Sequence, residues 1–276
     1  MKRILYSSLL FVAASLALTF NSCKKEEQDT ETQSATDNSV CEGEFTGRMG
    51  IINGYAIKEQ GVKSVMVAGE PAIIINPTDT LDGFPITMTL DYGTVGLVDP
   101  LDGKTRKGQI QATYDRSWDS TGCSVVVKVV NYYVKASGAA NFVQYACDSI
   151  MIKRNSLASF TNKIIGGKCI APSWNLEWSC NRTLTQTAGV GDTILTNDVF
   201  QFTGNAVGKT REGKSYTVNV ISPVVKSMSC TWIQSGKIEL TPEGKATRTV
   251  DYGAAGVCDD QATLTINGNT FAFTLN

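Results

Sequence analysis

Short runs of alternating apolar and polar residues, separated by glycine, asparagine, aspartate and proline, fill the chain from about Cys41 onward. In the run 86–92, isoleucine, methionine, leucine and tyrosine alternate with threonine and aspartate. Successive side chains of a strand point to opposite faces, so this pattern predicts a strand with one buried and one polar face. Asn267-Gly268, placed between two such runs, predicts a type I′ hairpin turn because both positions favour positive φ.

The sequence therefore predicts an all-β body of antiparallel hairpins in a meander, forming a sandwich or a partly open barrel-like sheet. Low helix content is expected apart from the signal peptide described below. The run 125–134 is nearly continuous in apolar residues and predicts a strand covered on both faces. The body spans 41–276, either as one domain or as two similar halves near 41–155 and 156–276.

Two motifs return within the body. Residues 87–96 resemble residues 247–256, and Gly103-Lys104-Thr105-Arg106 returns as Gly208-Lys209-Thr210-Arg211. The two pairs are separated by different distances, which excludes a simple tandem duplication of one unit. They predict recurrent hairpin chemistry in a repetitive antiparallel architecture.

The N-terminus has the pattern of an export signal. Lys2 and Arg3 precede an uncharged, largely apolar run that is too short for a membrane-spanning helix, so residues 1–22 are predicted to be a signal peptide. Ser22-Cys23, followed at once by charged residues, resembles the lipobox of bacterial lipoproteins, which implies that Cys23 carries the lipid. The alternative is an ordinary cleaved signal that leaves Cys23 as a thiol. Residues 23–40 are polar and are predicted to form a flexible tether.

Lys25-Glu26-Glu27 resembles the export signal of surface-exposed lipoproteins in the Bacteroidota. The repeated turn motifs, together with Phe200–Gly204, Cys230-Thr231-Trp232 and Cys258-Asp259-Asp260, resemble a group of β-rich lipoproteins from gut Bacteroidota. This resemblance covers most of the body. It implies a β fold and an outer-membrane location facing the cell exterior, and it transfers no activity.

Charge and composition narrow the classes of function. The chain carries 25 basic and 26 acidic residues with no long basic run, which gives no support to nucleic-acid binding. It contains no histidine, which removes serine–histidine and cysteine–histidine nucleophile systems and histidine-ligated zinc. No cofactor is expected.

Cysteine usage fits an exported protein. If Cys23 is lipidated, seven of the eight cysteines remain in the body, and an odd number leaves at least one outside intrachain disulfides. Cys41 is the candidate for that thiol. Spacing suggests pairing of Cys230 with Cys258 and of Cys123 with Cys147, although sequence alone cannot fix connectivity.

Trp174 and Trp178 share one face of a predicted strand and are the candidate ligand-binding residues. If exposed, they would form a flat apolar platform that stacks on sugar rings, whereas large aromatic side chains more often belong to a core.

Two aspartate groups, Asp91, Asp99 and Asp102 and then Asp251, Asp259 and Asp260, could supply metal ligands or the carboxylate pair of a glycosidase. Aspartate is also a turn former, and no spacing matches a calcium loop, so no metal site and no catalytic residue is assigned.

These features together predict a lipid-anchored cell-surface lipoprotein with a binding or structural role, attached to the membrane through its N-terminal lipid. Its ligand would be a glycan or a surface protein of a host or partner. The alternative is a carboxylate-dependent glycan hydrolase, and an enzyme is the less favoured of the two.

Overall fold

The computed structural model describes residues 28–61, 70–76, 83–99, 103–192 and 194–275. The chain divides into two units, Met1–Thr30 and Glu31–Asn276. Of the first unit only residues 28–30 are described, and they have no regular secondary structure. The predicted signal peptide 1–22, the predicted lipid site Cys23 and the Lys25-Glu26-Glu27 signal lie outside the described residues.

The described part of the second unit contains one α-helix, one short 3₁₀ helix (Leu195–Asn197) and fifteen strands. The helix, α1, spans Gln33–Gly61. The strands are β1 (Ala72–Asn76), β2 (Ile86–Asp91), β3 (Leu97–Val98), β4 (Thr105–Tyr114), β5 (Ser124–Lys135), β6 (Val143–Ala146), β7 (Ser149–Arg154), β8 (Ser159–Ile170), β9 (Asn175–Ala188), β10 (Val199–Lys209), β11 (Ser215–Ser227), β12 (Ser235–Pro242), β13 (Arg248–Asp251), β14 (Gln261–Ile266) and β15 (Asn269–Thr274).

All fifteen strands belong to one antiparallel sheet, which confirms the predicted all-β class. The order is β1-β2-β4-β5-β6-β8 and then β9 to β15 in sequence, with β3 paired to β4 and β7 paired to both β5 and β8. The chain therefore meanders from one edge to the other. The suggested boundary near 155–156 falls in the turn between β7 and β8, which pair directly, so both suggested halves lie in the same sheet.

The sheet curves around α1. Side chains of β4, β5, β8, β9 and β13 contact the helix or the residues just before it. In a flat sheet β4 and β13 would be roughly 38 Å apart at about 4.8 Å per strand. A helix with its side chains is only about 10–12 Å wide. One face of a single sheet must therefore wrap around the helix, and the arrangement is not a two-sheet sandwich.

The helix corrects the prediction of a flexible tether, while the low helix content expected of the body is confirmed. Residues 33–40, predicted to be part of a flexible tether, form its first turns, and the helix lies outside the predicted signal peptide. Asp37 and Asn38 are completely buried, and so is Cys41, the predicted start of the body. The prediction of a tether was wrong here because polar residues were assumed to stay in water, whereas their partners are supplied by the sheet.

Helix formation itself depends on this docking. The segment contains several glycines, which weaken an isolated helix. Its start is fixed by Glu31, whose carboxylate accepts hydrogen bonds from the backbone N–H and the hydroxyl of Ser34 at 2.7 and 2.9 Å. That contact satisfies one of the N–H groups that a helix leaves unpaired in its first turn.

Strand alternation was predicted correctly in several places and incorrectly in one. Met88 and Leu90 of β2 are buried, and Asn267-Gly268 forms the β14–β15 turn with positive φ at both residues. The expectation that 125–134 is covered on both faces was wrong. In β5, Val126 and Val130 are exposed, so β-branched residues there reflect strand preference and not burial.

The first repeated motif forms the same turn hydrogen bond in both of its copies. Asp91 accepts a hydrogen bond from the N–H of Gly93 at 2.8 Å, and Asp251 accepts one from Gly253 at 3.0 Å. Both glycines have positive φ. Both copies of the motif thus form the same hydrogen bond where a strand ends and its turn begins, in agreement with the predicted recurrent hairpin chemistry.

Candidate functional site

The helix is held by ion pairs buried inside the sheet. Arg182 of β9 donates to both carboxylate oxygens of Glu42 at 3.1 and 2.6 Å, and the two side chains are 0 and 1% exposed. Burial by itself would lower the pKa of Arg182, but the charge and hydrogen bonds of Glu42 outweigh it and leave this pKa raised. Arg182 is therefore held as a cation inside the fold, where removing its partner is costly.

Three further acidic residues of the helix segment have basic partners in or beside the sheet. Each carboxylate meets an arginine from a different part of the chain. The pairs are Glu31 with Arg248 at 3.1 Å, Asp37 with Arg211 at 2.6 Å, and Glu44 with Arg106 at 3.4 Å. The second repeated motif supplies two of these arginines, Arg106 and Arg211, so the Gly-Lys-Thr-Arg echo has a structural role in docking the helix.

Trp178 lies in the core. It is 1% exposed, its ring stacks on Phe45 of the helix with centroids 5.8 Å apart, and its indole N–H donates to Asn38 at 3.0 Å. Gly167 makes room for this contact, because a Cβ there would lie 3.1 Å from the Phe45 ring and closer still to the backbone of Trp178. Trp178 is therefore a core residue, which was the alternative to a sugar-binding platform. The platform of Trp174 and Trp178 together does not form.

Trp174 is only partly buried and lines a pocket of about 330 Å³ beside the N-terminal half of α1. We call this the Trp174 pocket. Its walls come from the helix (Gln33, Thr36 and Val40), from the β5–β6 turn and β6, from Lys104, and from Arg211. The guanidinium of Arg211 lies 5.0 Å from the centre of the Trp174 ring.

The Trp174 pocket combines aromatic, amide and cationic groups. Tyr145 and Trp174 supply apolar surface, Asn141 supplies an amide, and Lys104 and Arg211 supply positive charge at 15 and 29% side-chain exposure. The carboxylates that pair with these two cations, on Glu44 and Asp37, are 2 and 0% exposed. The surface offered to a ligand is therefore cationic, because the negative charges lie behind it.

A second depression, of about 400 Å³, lies over β9 to β12 and includes Glu177 and Glu243. Glu177 forms an ion pair with Lys209 at 2.9 Å in which both side chains are about half exposed. Carboxylates in open water of this kind lack the distinct environments that separate a general acid from a nucleophile.

The aspartates considered for metal binding or catalysis have structural partners. Asp91 and Asp251 accept the turn hydrogen bonds described above, and Asp99 pairs with Arg106 at 3.1 Å. Asp102 lies outside the described residues. Within the described ranges no three acidic or cysteine side chains come together as a metal site would require.

Asp198, the residue just before β10, is a titratable group that sequence reasoning missed. It is 2% exposed and accepts a hydrogen bond from Gln186 at 2.9 Å. Burial, followed by the charge of Asp192, raises the pKa of Asp198 to about 6, and the Gln186 contact offsets part of that rise. No local pattern marks it, because its burial depends on the pairing of β9 with β10.

One predicted disulfide is confirmed and the other is wrong. Cys230 and Cys258 are joined, with their Cα atoms 5.8 Å apart. Cys123 remains a thiol whose Sγ contacts the carbonyl oxygen of Arg116. The register Val127↔Ile150 places Cys123 and Cys147 at opposite ends of the β5–β7 pair. They are roughly 23 Å apart along the strands, far beyond the span of a disulfide.

Comparison of the chain with known protein families, curated proteins and solved structures found no match. In the part of the chain that the structure describes, no helix has the length and apolar character needed to cross a membrane. The sequence signals and the geometry of the Trp174 pocket are therefore the basis for a function.

Proposed function

We propose that this protein is a lipid-anchored lipoprotein of the outer membrane, facing the cell exterior, whose β body binds a glycan in the Trp174 pocket. The lipobox-like Ser22-Cys23 and the Lys25-Glu26-Glu27 triplet support the location. The observation that carries the binding role is the partly exposed Trp174 indole in a pocket beside two cations.

The chemistry of the Trp174 pocket favours an anionic glycan, one that carries carboxylate or sulfate groups. Arg211 lies over one face of the Trp174 ring, so the sugar contacts the remaining indole surface and Tyr145. The Nε and Nη2 groups of Arg211 already donate to Asp37, so its Nη1 group and the ammonium of Lys104 are the donors for an acidic substituent. Asn141 can pair with sugar hydroxyl groups.

A glycan array tests this proposal with the full-length protein in detergent. We expect binding to anionic glycans, weakened by salt, since the charged groups of the pocket are partly exposed. Trp174→Ala should weaken binding about tenfold, equivalent to about 1.4 kcal/mol. Trp232→Ala is the matched control, because Trp232 is also a partly buried indole but does not line this pocket.

Two outcomes would count against glycan binding. Equal loss of binding in the two tryptophan variants would show that the pocket is not the site. No binding to any glycan would favour a structural role or a protein partner.

The anchor and its orientation have separate tests. Cys23→Ala should move the protein from the membrane fraction to the soluble fraction, since the acyl chains hold it there. Protease treatment of intact cells should degrade the body without prior permeabilisation of the outer membrane. Retention of the Cys23→Ala variant in the membrane would refute the lipid anchor, and resistance on intact cells would refute surface exposure.

The hydrolase alternative is tested in the same samples. Release of new reducing ends from bound glycans would establish turnover. Its dependence on Glu177 and Glu243 would place the chemistry in the second depression, over β9 to β12. Binding without release would leave the protein a glycan-binding lipoprotein.

A further inference from the structure

Two cysteine side chains face each other where the helix passes β8. The Sγ atoms of Cys41 and Cys169 are 3.3 Å apart, and both residues are completely buried. The residues are 128 positions apart in sequence, so the contact depends on the docked helix. A disulfide joins its sulfur atoms at about 2.05 Å, so a combined movement of about 1.3 Å would bring the two into bonding distance.

The contact is fixed from both sides. One turn before Cys41, Asn38 accepts the hydrogen bond of Trp178, and one turn after it Phe45 stacks on the same indole. Cys169 is paired in the sheet with Leu176, two residues from Trp178 along β9. The Cys41 thiol is thus held against β8 by packing on the neighbouring strand.

We propose that Cys41 and Cys169 form a second disulfide in the exported protein, which joins the helix covalently to the sheet. This proposal depends on the export that the proposed function assumes, because disulfides persist in oxidising compartments. It also revises the assignment of Cys41 as the leftover thiol.

The bond forms by thiol–disulfide exchange with an exported disulfide oxidoreductase. The Cys41 thiolate attacks the oxidoreductase disulfide to give a mixed disulfide, and the Cys169 thiolate then attacks Sγ of Cys41. The two cysteines lose two electrons and two protons in total, and the oxidoreductase leaves as its dithiol. Burial is the main reason that the pKa of the Cys41 thiol is raised, so the mixed disulfide forms before the helix is docked. Docking then brings Cys169 to Sγ of Cys41 for the second step.

The bond would have a consequence for the Trp174 pocket. One wall of that pocket is formed by Gln33, Thr36 and Val40, which lie within eight residues of Cys41 in the same helix. Joining Cys41 to β8 therefore fixes the wall against the sheet and keeps the pocket in one shape.

The test is differential alkylation of the full-length protein, purified from the membranes of the exporting cell after acid quenching. Thiols are labelled with N-ethylmaleimide in denaturant, and disulfides are then reduced and labelled with iodoacetamide. Cleavage after Glu177 separates the peptide of Cys169 from that of Cys180. We expect Cys41 and Cys169 to carry only the second label, iodoacetamide, which marks disulfides. Cys180 should carry the first label, N-ethylmaleimide, which marks thiols.

Cys230 and Cys258 serve as the internal standard, since their disulfide is present in the structure. If they carry the second label while Cys41 and Cys169 carry the first, the proposal is refuted although export holds. If all four carry the first label, both the proposal and the assumed oxidising location fail. In a Cys41→Ser variant Cys169 should change to the first label, and retention of the second label would reveal a different partner and refute the pair.

Discussion

Replacement of Glu42 by glutamine tests whether the helix is docked inside the sheet. The change keeps the size of the side chain but removes the charge that Arg182 meets at 2.6 Å with both groups fully buried. Breaking a buried pair by neutralising one partner costs about 3–5 kcal/mol, because the remaining charge is left without compensation. We therefore expect Glu42→Gln to reduce the free energy of unfolding by about that amount.

The chain offers a matched control in Glu177→Gln. Glu177 pairs with Lys209 at 2.9 Å, a distance close to that of the buried pair, but both side chains are about half exposed. Exposed pairs contribute about 0–1 kcal/mol. The same chemical change should thus have very different effects at the two positions.

Urea unfolding of the purified protein, followed by tryptophan fluorescence, measures both variants. Trp178 is a suitable reporter because it stacks on Phe45 of the helix. Replacing both partners, with Glu42→Leu and Arg182→Met together, should recover a large part of the loss, since no buried charge remains. A difference of less than about 1 kcal/mol between Glu42→Gln and Glu177→Gln would show that Glu42 is not buried against Arg182, and so that the helix is not docked inside the sheet.

Further predictions concern a buried acid and two glycines. The pKa of Asp198 is raised to about 6, so the native state holds this proton more tightly than the unfolded chain does. The contribution of Asp198 to stability therefore falls as pH rises from the ordinary carboxyl range to about 6. Asp198→Asn keeps an acceptor for Gln186. In urea unfolding, its free energy of unfolding relative to that of the parent should rise by at most about 3 kcal/mol between about pH 4 and pH 7.5. A difference that does not change with pH would contradict the raised pKa of Asp198. Gly43→Ala should stabilise the protein by about 0.5–1 kcal/mol, because nothing lies near the added methyl group in the helix. Gly208→Ala should destabilise the protein by about 1–3 kcal/mol, because the added Cβ would overlap Tyr216. Equal urea-unfolding midpoints for the two glycine variants would contradict both predictions.

The parts of the fold that sequence could predict are those with local causes. Alternation in 86–92 predicted β2, and Asn267-Gly268 predicted the last hairpin, because strand faces and turn angles depend on a few adjacent residues. The Cys230–Cys258 disulfide was predicted from spacing because its residues close a short segment.

The helix could not be predicted, because its stability comes from residues distant in sequence. Glu42 and Arg182 are 140 positions apart, and neither is unusual in its own neighbourhood. A polar, glycine-containing segment has the composition of a tether, and only the curved sheet provides partners for its carboxylates. The burial of Trp178 could not be predicted for the same reason, because it depends on the packing of Phe45 from that helix.

The repeated Gly-Lys-Thr-Arg motif connects the fold to the candidate site. In each copy the arginine pairs with a carboxylate of the helix, Arg106 with Glu44 and Arg211 with Asp37, and Arg211 also contacts the Trp174 ring. Lys104 of the first copy lines the same pocket. Residues that dock the helix are therefore also residues of the pocket, so loss of helix docking should remove the pocket along with stability. Ligand binding and helix docking are then thermodynamically linked, because a ligand that binds only the docked state stabilises that state.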